Sequence, residues 1–336
     1  MISRRLLRIK ILQVLFAHFR SENDSLNNLE KELFFSIQKS YQLYHLLLML
    51  PEELADYAQN RIDLGRQKFR PTQEDMNPNT RFVGNSVIDK LRHNENLVRF
   101  SQEHRLSWRH HPDLIKVIYQ KFISSGYYEQ YMNAESISYT DDKQLVLNFL
   151  QHELDDLDDF SSFLEEQSIY WNDDLEFMLS MAVKTVKRID EAAPSTSPLM
   201  PMYRSDEDID FVKILLRKVV LRHADNVKLI EEYTQNWEVD RIAGMDILIM
   251  EMAITEIVEF PSIPVKVTLN EYIEIAKYYS TDQSSTFING ILDKIIATLR
   301  KKNLVVKQGR GLVGEDDIRL SLPGDDSMNF DRPNTN

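Results

Sequence analysis

The chain contains no cysteine, which excludes disulfides, thiol nucleophiles and cysteine-based zinc sites. Glycine is scarce too. Only 9 occur in 336 residues, none in a G-x-G-x-x-G or G-x-x-x-x-G-K-[ST] pattern, so no loop is expected to cradle nucleotide phosphates. Long apolar runs are missing: residues 43–50 are apolar but fall well short of the ~20 that span a bilayer. A basic start followed by apolar residues has the layout of a secretory signal. Lys10, Gln13 and His18 interrupt its would-be apolar core and no small-residue cleavage site follows, so no signal is expected.

Catalytic constellations are equally sparse. His104, His110 and His111 lie near Glu103 and Asp113, but their spacing does not match H-E-x-x-H or another ligand pattern with a mechanism. Asp155, Asp156, Asp158 and Asp159 could bind a hard cation. Adjacent residues on a helix diverge by about 100 degrees, however, and such a run reads more simply as solvated surface. No catalytic residue, metal or cofactor is expected.

The charge that is present is unevenly placed. Although the net charge is -13, residues 1–20 carry Arg4, Arg5, Arg8, Lys10 and Arg20 and no acid, whereas 141–176 is strongly acidic. Location matters more than the sum for binding a polyanion. A second basic stretch, 61–121, includes Arg92, Arg99, Arg105, Trp108 and Arg109 and reads first as a solvated helix face.

Periodicity predicts an all-α fold. Helices are expected at about 3–20 and 26–49, the second stopped by Pro51, then at 52–68, 84–107, 112–124, 142–166 and 171–191. Another is expected from Ser205 and Asp206 to about Thr234. Ile242, Met245, Ile249, Met252 and Ile257 form one helical face, with Asp246 and Glu259 off it. The segment 260–264 ends that helix through its prolines. Thr268 and Glu271 suggest a capping box for the next one, with Leu269, Tyr272, Ile273 and Ala276 as its buried stripe. Phe287, Ile288, Ile291, Leu292, Ile295, Ile296 and Leu299 mark a last helix. Gly290 within it costs about 1 kcal/mol relative to alanine, and close approach of a neighbouring helix is the expected reason for it. From 304 onward, Gly309, Gly311, Gly314, Pro323, Gly324 and a polar ending predict a disordered tail.

Two separated regions carry a family resemblance. In 236–294 the residues are Trp237, Arg241, Asp246, Glu256, Pro264, Lys266, Val267, Asn270, Glu271, Glu274, Ala276, Lys277, Phe287, Asn289, Gly290, Leu292 and Asp293. At the N-terminus they are Arg5, Arg8, Gln13 and Phe16, in the register of an arginine-rich first helix. Together these resemble the bacterial transcription antitermination factor family NusB. The resemblance covers under half of the chain and implies a NusB-like helical bundle carrying an additional helical insertion. Its expected division is 1–50 and 201–303 for the bundle, 51–200 for the insertion and 304–336 for the tail.

The resemblance implies a non-catalytic, cytoplasmic RNA-binding adaptor. It would pair with the small-subunit ribosomal protein also called NusE on single-stranded boxA-like RNA. The pair would act with the RNA polymerase elongation complex to support ribosomal RNA transcription, with no membrane involved. Carried over residue by residue, the RNA-binding set is Arg4, Arg5, Arg8, Lys277, Tyr279 and Gln283. The local sequence agrees for the arginines, which cover one helical sector as an array of guanidinium forks. Tyr279, at a helix end beside a polar loop, reads equally as core or as a stacking platform. Gln283 stands where relatives commonly have a carboxylate that would repel phosphate. Asp240 and Asp246 are the expected partner-facing acids, and charge reversal at Asp246 is expected to weaken association without unfolding. Ile247 and Glu251 depart from the family, since basic side chains are common at those positions. The competing reading is a non-catalytic helical scaffold without specific RNA binding.

Overall fold

A computed structural model describes residues 1–20, 25–154, 157–171, 173–234, 244–281 and 283–313. Among these, regular structure is helical: α1 (Arg4–His18), α2 (Leu26–Arg66), α3 (Gln73–Met76), α4 (Ser86–Arg92), α5 (Glu95–His104), α6 (Pro112–Ile123) and α7 (Gly126–Asn133) come first. They are followed by α8 (Tyr139–His152), α9 (Asp158–Gln167), α10 (Leu175–Arg188), α11 (Asp206–Thr234), α12 (Gly244–Glu259), α13 (Val265–Tyr279) and α14 (Ser284–Lys301). The all-α expectation therefore holds. The chain forms two compact units, one of Met1–Lys10 with Asn27–Phe211, the other of Ile11–Leu26 with Val212–Asn336.

The expected helix end at Pro51 is not there, because α2 runs through it. A proline inside a helix forfeits about 3 kcal/mol. Here Leu50, Pro51, Leu54 and Ala55 are all buried, and each large apolar side chain removed from water returns about 1.5–3 kcal/mol. Burial on both sides of the proline outweighs the lost hydrogen bond.

Within the first unit, α8 is the element against which α4, α7 and α10 pack. The expected helix over 84–107 is two helices, because Asn94 caps a new start: its Oδ1 accepts from Leu97 N at 3.0 Å. Helix α7 was not anticipated. Ser125 opens it, its Oγ accepting from Tyr128 N. Part of the acidic stretch is also structural rather than solvated. Asp142 is buried and accepts from Ser86 N at 2.8 Å and from Tyr131 Oη at 2.6 Å, fastening α4 and α7 to α8. Trp108, placed by sequence on a solvated face, is 1% exposed and donates its indole N–H to Leu46 O at 2.9 Å. His104 and His111 serve packing, against Phe100 and Phe163.

In the second unit α12, α13 and α14 pack mutually. Helix α12 is nearly all buried, including Leu248, Ile249, Met252, Ala253, Ile254 and Ile257. Thr268 does not form the expected capping box. Pro264 is the N-cap residue of α13, and Thr268 lies a turn inside the helix, fully buried, donating to Glu256 Oε1 at 2.8 Å. Tyr272 Oη donates to Glu256 Oε2 at 3.0 Å, so one buried carboxylate joins α12 to α13 twice. These bonds rotate the buried stripe of α13 onto Val265, Thr268, Tyr272, Ile275 and Ala276, leaving Leu269 and Ile273 half-buried. Gly290 is exposed and a Cβ there would meet nothing within 4 Å, so close helix approach does not explain it.

The expected tail begins later than 304. Lys307 Nζ donates to Ile257 O at 2.8 Å and to Phe260 O at 3.0 Å, covering carbonyls at the end of α12. Gln308 N donates to Pro261 O, and a 3-10 turn (Gly309–Leu312) follows. Gly311 approaches so closely that a Cβ would stand 1.9 Å from Pro261 O. Only 314–336 of the expected tail lies outside the described residues.

Candidate nucleic-acid interface

The junction of α13 and α14 gathers Lys277, Tyr278, Tyr279 and Gln283. Periodicity accounts for their differing exposure: Ala276 faces the core, so Lys277 and Tyr278 project outward while Tyr279 is half-buried. Tyr278 is 76% exposed. Lys277 Nζ pairs with Glu274 at 2.5 Å on the same exposed face. Tyr279 Oη lies 3.5 Å from Gln13 Nε2 on α1, so this ring is anchored rather than freely offered. Gln283 is exposed and is the N-cap residue of α14, whose first turn contains no acidic side chain. The helix dipole favours negative charge at such an end.

Asp246 holds this junction together. It is 6% exposed, accepting from Ser284 Oγ at 2.8 Å and from Ser280 Oγ. Ser280 is the C-cap of α13 and Ser284 the first residue of α14, so one carboxylate at the start of α12 fixes both helix ends. Asp246 was expected to face a partner; both of its carboxylate oxygens are engaged by Ser280 and Ser284. Asp240, with Trp237 and Arg241, lies outside the described residues, as does Asp282.

The N-terminal arginines do not form the expected exposed array. Arg8 is 2% exposed, its guanidinium 5.2 Å from the centre of the Phe211 ring, and Arg4 stands 5.3 Å from the same ring. Arg4 Nε also donates to buried Asp208 at 2.8 Å. Arg5 is half-exposed. Arg4 and Arg8 pack on Phe211 of α11, whereas Arg5 keeps part of its surface in solvent. Lys10 goes further inward. Its Nζ is 2.8 Å from Asp174 Oδ1 and donates to Tyr170 O at 2.6 Å.

Sequence reasoning noted Glu251 only as a departure from the family. It is 1% exposed, and burial pushes its carboxyl up to about 8. His223 Nδ1 lies 2.9 Å away, and burial, then the neighbouring His18, holds that ring below the ordinary histidine range. Both shifts disfavour the charged forms of this pair. Phe19 stacks on the His223 ring at 4.1 Å. A carboxylate-bearing residue in the apolar pattern of α12 was the available signal.

Together these features define an all-helical protein whose buried acids lock helices to one another, with Lys277, Tyr278 and Gln283 exposed at the α13–α14 junction. A family model described as the NusB family matches residues 178–297, which begins inside α10 and so reaches into the expected insertion. Over 120 residues the chain is 39% identical to the transcription antitermination protein NusB of Salinibacter ruber, an alignment covering 36% of this chain and 75% of that protein. It is 42% identical over 104 residues to the protein of the same name from Chloroherpeton thalassium, covering 31% of this chain and 49% of the other. The corresponding protein of Natranaerobius thermophilus is 42% identical over 90 residues, covering 26% of this chain and 65% of its own length. No solved structure matches.

The chain belongs to the NusB family. That family is a non-catalytic one, and the relatives matched above carry the name transcription antitermination protein. Among the described residues, no helix is long and apolar enough to cross a membrane.

Proposed function

We propose that this protein is an RNA-binding antitermination factor that pairs with the small-subunit ribosomal protein NusE on single-stranded boxA-like RNA. It would then engage the RNA polymerase elongation complex in the cytoplasm. The observation that supports the RNA reading is the α13–α14 junction, where Lys277 and Gln283 are exposed and the first turn of α14 carries no acid of its own, the Asp246 carboxylate beside it being buried. Lys277 supplies a cation for phosphate, Gln283 both donates and accepts hydrogen bonds, and Tyr279 lies beside them on a fixed ring. Arg5 remains a separate candidate contact. Arg8 and Asp246 are buried, which supports reading them as packing residues.

The test is titration of the protein with boxA-like and scrambled single-stranded RNA, with and without the ribosomal protein. Preferential boxA binding that strengthens when the ribosomal protein is present is expected. Gln283→Asp should weaken RNA binding most at low salt, where repulsion is least screened, and leave the ribosomal protein's affinity unchanged. Equal affinity for both RNAs and for both proteins at low salt would favour the helical-scaffold reading instead.

A further inference from the structure

The first unit carries an aromatic side chain that the fold does not use. Phe69, just past the end of α2, is 96% exposed, the most exposed of the large apolar side chains described. It is displayed by a built turn. Gln67 N donates to Asp63 O, Lys68 N donates to Gly65 O, and Lys68 Nζ binds Asp75 at 2.8 Å. Thr72 and Asp75 cap each other at the start of α3. Gly65 lets Asp75 close over the helix end, since a Cβ there would stand 2.7 Å from Asp75 Oδ1. An ordered turn that leaves a phenyl ring in water forgoes the stabilisation its burial would bring.

The charge around the ring indicates what covers it. Between 61 and 70 the sequence has Arg61, Arg66, Lys68 and Arg70 against one acid, Asp63, in a chain of net charge -13. Lys68 is committed to the turn, whereas Arg66 and Arg70 are exposed and take part in no ion pair among the described residues. Arg70 lies 6.0 Å from the Phe69 ring centre. A π-face with one guanidinium fork beside it and a second arginine three residues earlier in the chain fits a single-stranded polynucleotide, whose bases stack on any aromatic and whose phosphates accept bidentate bonds. Leu64 and Met76 are exposed as well, at 66% and 57%, so an anionic bilayer is the competing partner. A short turn lacks the continuous apolar helix face that interfacial attachment uses, and arginines at a single ring favour the nucleic acid.

We infer that the end of α2 is a second RNA contact, in which Phe69 stacks on a base and Arg66 and Arg70 hold the adjoining phosphates. The inference rests on the RNA-binding reading above but invokes different residues.

Labelled oligouridylate and phosphatidylglycerol vesicles, titrated against the full chain, test it. The proteins are the parent, Phe69→Ala, the double variant Arg66→Ala with Arg70→Ala, and Lys277→Ala. Phe69→Ala should weaken RNA binding about tenfold, and the double variant should flatten the salt slope by about 0.7 per arginine. Circular dichroism should be unchanged, because the altered side chains are exposed. If the parent binds RNA and loses affinity only in Lys277→Ala, this site is wrong while the junction reading stands. Loss of vesicle binding alone in Phe69→Ala would make it a membrane contact and overturn the inference. A parent that binds no RNA would overturn both readings.

Discussion

Lys10 and Asp174 form a 2.8 Å ion pair in which neither side chain is more than 1% exposed. Ser40 Oγ also donates to Asp174, at 2.5 Å, so the carboxylate is held by an ammonium and a hydroxyl at once. Burial nevertheless pushes the Asp174 carboxyl above its usual range, because desolvation exceeds the attraction of Lys10. Breaking such a pair leaves one charge without compensation. Lys10→Met should therefore destabilise the protein by about 3–5 kcal/mol, whereas the double variant Lys10→Met with Asp174→Leu should recover much of that loss. Urea denaturation of the two variants checks this, and equal losses in both would show that the ionic attraction contributes nothing.

Asp246 should behave as a structural group. Asp246→Ala leaves the hydroxyls of Ser280 and Ser284 without their acceptor and should cost about 1–3 kcal/mol. Asp246→Lys should cost more, since it buries an unpaired cation. RNA binding through the α13–α14 junction should fall in proportion to the disorder introduced there. A charge-reversed protein with unchanged thermal stability would return Asp246 to the surface role expected from sequence.

Glu251 predicts a pH dependence whose sign follows from linkage. Its folded carboxyl titrates at about 8 against an ordinary value of 4.5. Between those limits the folded state holds a proton that the unfolded state has released, so its contribution is complete at low pH and is lost as pH rises toward 8. His223 acts in the opposite direction: its lowered folded value favours the folded state as pH rises toward 6.5. Glu251 has the deeper burial and should dominate. Glu251→Gln should thus be close to neutral at pH 5 and stabilising at pH 8 by roughly a few kcal/mol, measured by denaturant titration at each pH. A variant less stable than the parent at pH 8 would mean that the pair is ionised.

Gly311→Ala should dislodge the segment after α14. Its new methyl would meet the backbone of Pro261 rather than a flexible side chain, so the chain must move away. Lys307 would then lose its two carbonyls at the end of α12. Faster proteolysis near 304–313 with unchanged helical content is the expected result. Identical digestion of parent and variant would show that this docking is dispensable.

Sequence by itself determined what depends on neighbours close along the chain. The helix Asp206–Thr234 and the end of α12 before Pro261 follow from periodicity and from proline's missing donor. The buried body of α1 and the apolar stripe of α14 follow from a 3.6-residue period, and the family was legible from residue types at fixed spacing. What only the tertiary structure decided is the fate of the polar residues on those helices. Arg8, Lys10, Asp246, Glu251 and Glu256 resemble surface or binding groups until Phe211, Asp174, Ser284, His223 and Thr268 arrive from other helices to partner them. Periodicity states which face a side chain occupies, not what stands across from it. A charge can therefore be buried or exposed on the same pattern, according to whether a distant residue supplies the hydrogen bond or counter-charge that makes its desolvation tolerable.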